Sequence, residues 1–327
     1  MFVPESFALA LLMMVTSTVC WGSWANTYKL TRNYRFELFY WDYAVGIFLI
    51  SLVLALTLGS IRPDQQNFLA NVRAASGGNI ALAIFGGAIF NTANLLLVAG
   101  IEMAGLAVAF PISIGIALVV GVALSYLLQP KGDPLLLGLG VVLAILAVVL
   151  IGKAYGNIPS ANKAVSRKSV VVCIISGVLM GSFAPFVTRA MTSGVPLTPY
   201  SISVFFTFGA LLCCFVVNIY FMRRPLVGEP VGFTGYFKAR PADHTLGLLG
   251  GAIWGLGMVF NFVAASLVGV AISYAIGQAS PMVAALWGVF VWREFRGAGV
   301  KARSYLAGMF ACYVLALVLI AQAYRNA

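Results

Sequence analysis

The sequence predicts an all-α membrane protein of ten transmembrane helices, arranged as two inverted five-helix repeats. Three observations predict it. First, 61% of the 327 residues are hydrophobic and only 9% are charged. A soluble domain carries about a quarter charged residues, so much of this surface must face lipid. Second, the apolar residues gather into runs long enough to cross a bilayer, which takes about 20 residues each. Third, one stretch is written twice. Gly86-Gly87-Ala88-Ile89-Phe90 and Gly105-Leu106-Ala107-Val108 return as Gly250-Gly251-Ala252-Ile253-Trp254 and Gly269-Val270-Ala271-Ile272. The pairs 86/250 and 105/269 are both 164 residues apart. A register held across a whole helix pair marks internal duplication, the usual construction of secondary transporters.

The spans follow in order, bounded by polar or basic breaks. The first covers about 7–28, with no positive charge ahead of it, so it reads as a retained span rather than a cleaved signal peptide. The second covers about 39–61. The third and fourth, about 79–100 and about 104–128, are joined by so few residues that they form a tight antiparallel hairpin. The fifth covers about 134–154, the sixth about 169–190 and the seventh about 198–222. The eighth and ninth, about 245–267 and about 269–292, repeat the hairpin, and the tenth covers about 303–324. The middle of the three long breaks, with Asn157, Pro159, Ser160 and Asn162, reads as a cytoplasmic linker over 156–168. It separates an N-terminal repeat, 1–155, from a C-terminal repeat, 169–327.

Charge sets the orientation. Fifteen of the 20 Lys and Arg residues fall on the side holding the 1–2, 3–4, 5–6, 7–8 and 9–10 joints. Positive loops stay in the cytoplasm, so both termini are expected outside a plasma or inner membrane. Five spans is an odd number, and the second half therefore enters from the opposite side, which inverts the repeat. Trp21-Gly22-Ser23-Trp24 and Met180-Gly181-Ser182-Phe183 echo the same duplication. The net charge of +11 then belongs to cytoplasmic loops. No basic run exceeds a loop, so no nucleic-acid partner is expected.

Several chemistries lack their residues. None of the nine acidic residues falls at the centre of a span, and the one histidine, His244, sits at the edge of the eighth. No H-E-x-x-H, G-x-S-x-G or phosphate-loop motif occurs, so neither an enzyme nor an ATP-driven pump is expected, and no metal or cofactor. Cys20, Cys173, Cys213, Cys214 and Cys312 form no C-x-x-C pair and read as buried free thiols. The first span has no carboxylate at its middle, which disfavours export of lipophilic cations and favours neutral or weakly anionic ligands.

The polar residues inside spans are mostly neutral. They are Ser23 and Asn26 in the first span, Asn91 and Asn94 in the third, and Ser113, just after Pro111, in the fourth. Asn261 lies in the eighth, and Gln278 and Ser280, just before Pro281, in the ninth. A carboxamide offers donors and an acceptor, matching a ligand with amide, imide or hydroxyl groups; alternatively such residues only tie helices together. Their concentration favours a shared cavity. Asn91, Asn94 and Gln278 are expected to read an amide edge and Trp24 and Trp254 to stack on the ligand. Pro111 and Pro281 are expected helix breaks, each freeing a backbone carbonyl inside its span where a cavity can satisfy it. Asp42, about one turn into the second span, is the candidate for the coupling proton. Its alternative is an interfacial carboxylate paired with Lys29 or Arg32.

Short stretches along nearly the whole chain resemble the ureide permease family, within the broader drug/metabolite transporter superfamily. They are Glu5-Ser6, Gly22-Ser23-Trp24, Leu30-Thr31, Tyr40-Trp41-Asp42-Tyr43, Leu56-Thr57-Leu58-Gly59, Gly86-Gly87 with Asn94, Gly194-Val195-Pro196, Gln278-Ala279-Ser280-Pro281 and Trp287-Gly288. The resemblance implies proton-driven import of a ureide such as allantoin or a nucleobase such as uracil, with termini outside. Plant members carry a long cytosolic insert between the fifth and sixth spans, and residues 155–168 leave no room for it. Glucose/ribose and rhamnose porters share the broader architecture, so a sugar porter is the second reading and a broad-range metabolite or drug exporter the third. The expected partners are a small-molecule substrate, H+ and the lipid bilayer, with monomer and homodimer both open.

Overall fold

In the computed structural model, which describes residues 1–61, 67–158 and 165–325, ten helices are long and apolar enough to cross a membrane. They are α1 (Phe7–Lys29), α2 (Phe36–Ser60), α3 (Gly77–Ala104), α4 (Ala107–Leu128) and α5 (Pro134–Gly156). The second half supplies α6 (Arg167–Thr192), α7 (Pro199–Arg223), α8 (Pro241–Val268), α9 (Val270–Val291) and α10 (Val300–Arg325). No strand occurs among the described residues. Of the expected linker, Pro159, Ser160, Asn162 and Lys163 lie outside the described residues, as does Arg62. Two short helices, Phe68–Ala74 and Phe233–Phe237, occupy the other long joints.

Local chemistry explains the helix ends. Ser6 accepts from the Leu9 amide to start α1. Asp133 accepts from Leu135 and Leu136 ahead of α5, with Pro134 in the first turn, the position where a missing N–H costs nothing. Ser166 and Ser169 form a reciprocal capping box on α6. The two hairpins turn on single glycines, Gly105 at φ 77° and Gly269 at φ 87°, values that a residue with a Cβ rarely adopts.

Helix pairs approach backbone to backbone. A methyl group added at Gly87 would overlap the Phe206 carbonyl, and one at Gly209 the Ile84 carbonyl, which sets α3 tightly on α7. Gly251 meets the Tyr43 carbonyl and Gly46 the Leu248 carbonyl in the same way, setting α8 on α2. Lipid offers no hydrophobic drive between helices, so close packing of small residues carries their association. In addition α3 and α4 pack on α6, α8 and α9 on α1, and α5 on α10. This leaves α1, α3, α4, α6, α8 and α9 around a central space.

Three spans depart from a regular α-helix, and one of them, α9, breaks beside Pro281 as expected. α1 loosens at Trp24, between Phe7–Ser23 and Ala25–Lys29, while keeping helical dihedrals there (φ −55°, ψ −38°). α7 contains a π-helical turn over Cys214–Asn218. α9 consists of Val270–Gly277, Ser280–Leu286 and a π-helical turn Trp287–Val291, with Gln278 and Ala279 between the first two pieces. Pro281 lacks an N–H for the preceding turn, so the break falls just ahead of it. Pro111 lies inside a continuous α4 instead, its ring seated against Gly152 of α5.

Candidate substrate cavity

A cavity of about 360 Å³ opens between these helices. Its deep end is aromatic. Phe90 and Trp254, which hold the same place in the twice-written stretch, stack with ring centroids 4.5 Å apart. Trp21 stacks on Trp254 at 5.7 Å, and Phe183 meets Phe90 and Tyr274 edge-on. From there the walls run past Trp24, Asn94 and Gln278 to a polar mouth of Lys29, Glu102, Tyr155, Trp292 and Glu294.

Gln278 sits at the break in α9, lines this cavity and is only 8% exposed. Its carboxamide makes no hydrogen bond to the described residues. Its amide atoms are not among the fully enclosed ones, so the carboxamide opens onto the cavity with its donors and acceptor unused. The Trp254 indole N–H and the Ser280 hydroxyl, both on the cavity wall, likewise have no hydrogen-bond partner among the described residues. Asn94, 5% exposed, donates through Nδ2 to the Tyr40 hydroxyl at 3.2 Å, which leaves its oxygen for the cavity.

Most of the other predicted polar residues are occupied. Ser23 Oγ accepts from Trp287 Nε1 at 2.8 Å. Asn26 lines the cavity, yet its oxygen accepts from Trp292 Nε1 at 2.6 Å and its nitrogen donates to the Ser23 carbonyl at 2.8 Å. Ser113 donates to the Cys173 carbonyl, tying α4 to α6. Asn261 and Ser273 bond reciprocally across the α8–α9 hairpin, at 2.7 and 2.9 Å. Asn91 is buried behind the wall; its oxygen accepts from Cys214 Sγ, and its nitrogen has no partner among the described residues. Trp24 lines the cavity with its ring tilted onto Tyr43 at 4.6 Å. Trp254 already stacks on two rings, so its N–H edge is the part left for a ligand.

Asp42 lies away from the cavity, 4% exposed. Its partners are Tyr236 Oη at 2.7 Å, His244 Nδ1 at 2.9 Å and Tyr34 Oη at 3.0 Å. The expected pairing with Lys29 or Arg32 does not form. Lys29 reaches Glu294 instead, and the Arg32 amide donates to Asp243. The reason is steric. The Phe233–Phe237 helix and the first turn of α8 fold over the start of α2 and bring Tyr236 and His244 to the carboxylate first. Burial, reinforced by this carboxylate, pushes both the Tyr34 and Tyr236 phenols well above their usual range, so both stay protonated as donors.

The sequence reading missed the mouth. Ser23, Asn26 and Lys29, spaced by three along α1, meet Trp287, Trp292 and Glu294 in register. Lys29 also lies over the Trp292 ring at 4.5 Å. Tyr155 donates to the second oxygen of Glu294 at 3.0 Å. The i, i+3 spacing on α1 was a visible signal; its partners, more than 260 residues away, were not. Among the described residues no group of three or more His, Cys, Asp or Glu could hold a metal ion.

Ten spans, an aromatic cavity between six of them and a discontinuous helix presenting an amide to it define a multi-pass membrane carrier. The family model described as ureide permease matches residues 39–172 and 161–323, and the chain belongs to this family, whose members are transporters and not enzymes. Ureide permease 1 and ureide permease 4 of Arabidopsis thaliana are 23% and 24% identical to it, over 98% of this chain and 98% of theirs. Probable ureide permease A3 of Vigna unguiculata is 31% identical over 39% of this chain and 35% of its own length. A solved crystal structure superposes with a TM-score of 0.64 at 15% identity, covering 98% of this chain and 99% of the other; that likeness concerns the fold alone.

Proposed function

We propose that this chain is a secondary active importer of a small, planar, uncharged metabolite rich in amide groups, a ureide or a nucleobase. The observation that carries the reading is the buried, unpartnered carboxamide of Gln278 in an aromatic cavity. A flat ring with adjacent N–H and C=O groups satisfies both halves of that amide, and the indoles around it supply faces and N–H edges. The names of the relatives point to the same ligand class.

Transport proceeds by rocking of two inverted repeats around the site. The matched glycine joints at Gly105 and Gly269 support this. So do the matched close contacts, Gly87 with Phe206 and Gly251 with Tyr43. The same reading places the chain in the drug/metabolite transporter superfamily and in a plasma or inner membrane, its termini outside. The cavity mouth faces the Lys- and Arg-rich side, so this conformation is inward-facing. Import is driven by protons. Asp42, with His244 beside it, carries the coupling proton and acts through the α2–α8 contact rather than by touching the ligand.

Vesicles reconstituted with the purified protein and offered labelled allantoin, uracil, xanthine, glucose, ribose and rhamnose test this. Saturable uptake of allantoin or of a nucleobase is expected. Saturable glucose uptake with no response to ureides or nucleobases would make the protein a sugar porter and end this reading.

A further inference from the structure

Two carboxamides face the cavity in different ways. Gln278 is untethered, whereas Asn94 is held from behind by a residue that does not line the cavity. That residue is Tyr40 of α2, 0% exposed. Its ring is fixed by Tyr43 at 5.2 Å and Phe36 at 5.3 Å, so packing alone decides where its hydroxyl lies. The hydroxyl meets Asn94 Nδ2 at 3.2 Å. α2 is itself locked, because Gly46 and Gly251 allow α2 and α8 to touch through their backbones. Asn94, on α3, is thus anchored to α2 and through it to α8, not to its own helix.

We propose that Tyr40 is a positioning residue for substrate selection: it holds the Asn94 carboxamide so that its oxygen faces the cavity as a fixed acceptor for a ligand N–H. The proposal rests on the cavity being the substrate site. An untethered asparagine can turn either end toward a ligand, reading donors and acceptors alike. With Nδ2 donating to Tyr40, the end left for a ligand is the oxygen, and its ordering cost is met before the ligand arrives. The site then combines one fixed acceptor, Asn94, with one adaptable amide, Gln278.

The test is a double-mutant cycle on uptake kinetics, with Tyr40→Phe, Asn94→Ala and the pair, using allantoin or uracil and N-methylated forms of each. Tyr40→Phe keeps the ring and its packing, and a thermal midpoint measured in parallel shows that each variant is folded. Loss of one hydrogen bond predicts a KM about tenfold higher for Tyr40→Phe at unchanged Vmax. Its preference for the unmethylated ligand falls as well. In the Asn94→Ala background, Tyr40→Phe adds nothing further, because the group it acts through is gone. Independent effects, or an unchanged KM in Tyr40→Phe while Asn94→Ala raises it, overturn the proposal and leave the function reading standing. Wild-type protein that takes up no ureide or nucleobase overturns that reading, and the proposal with it.

Discussion

At the scale of single residues, what separates a binding group from a structural one is whether its hydrogen-bonding capacity is already used. Asn261 and Gln278 are both buried amides in the repeated hairpin. Asn261 spends its amide on Ser273, and Gln278 has no such partner. Composition cannot distinguish them, since partners lie on other elements. Asn261→Ala is therefore expected to lower the thermal midpoint, with about 1–3 kcal/mol lost through the orphaned Ser273 groups, and to leave KM within about twofold in uptake assays. Asp42 separates two roles in the same way. Asp42→Asn is expected to abolish accumulation driven by a pH gradient while substrate exchange continues. Undiminished gradient-driven accumulation would reduce Asp42 to a clasp that holds the Phe233–Phe237 helix over α2.

At the scale of elements, the ten spans and the two hairpins were legible because hydropathy and spacing are local signals. Of the irregular turns, only the break beside Pro281 was. The π-helical turns in α7 and α9 have no marker in the pattern of apolar residues, and neither does the loosened turn at Trp24 in α1. Each depends on what the neighbouring helix offers, as when Trp287 and Trp292 reach Ser23 and Asn26. The α1–α9 ladder belongs to the mouth. The Lys29 side chain is 44% exposed, and so its pair with Glu294 contributes at most about 1 kcal/mol to stability. Its loss is expected to show in transport rather than folding. Lys29→Glu and Glu294→Lys should each slow uptake several-fold, and the charge-swapped double variant should recover it. Equal thermal midpoints with no rescue would show that the ladder does not act as a pair. Gly87→Ala and Gly251→Ala, which press a methyl into a facing carbonyl, are both expected to fail to accumulate in the membrane, measured as folded protein per cell.

At the scale of the whole molecule, the duplicated stretch acquires a physical role. Its two copies contribute Phe90 and Trp254, which stack on each other at the deep end of the cavity. The positions that the duplication makes equivalent therefore meet where a ligand would rest. The family and the number of spans were readable from order and composition. About half of the predicted polar lining was not, because a sequence shows which groups could bond and not which are already bonded. The central claim is that the cavity, through Gln278, is where the substrate binds. The most direct measurement is the KM for allantoin or uracil uptake by Gln278→Ala in vesicles, at matched amounts of folded protein. Loss of one or two hydrogen bonds predicts a KM raised by about tenfold or more. Saturable uptake by Gln278→Ala with the wild-type KM would contradict the claim.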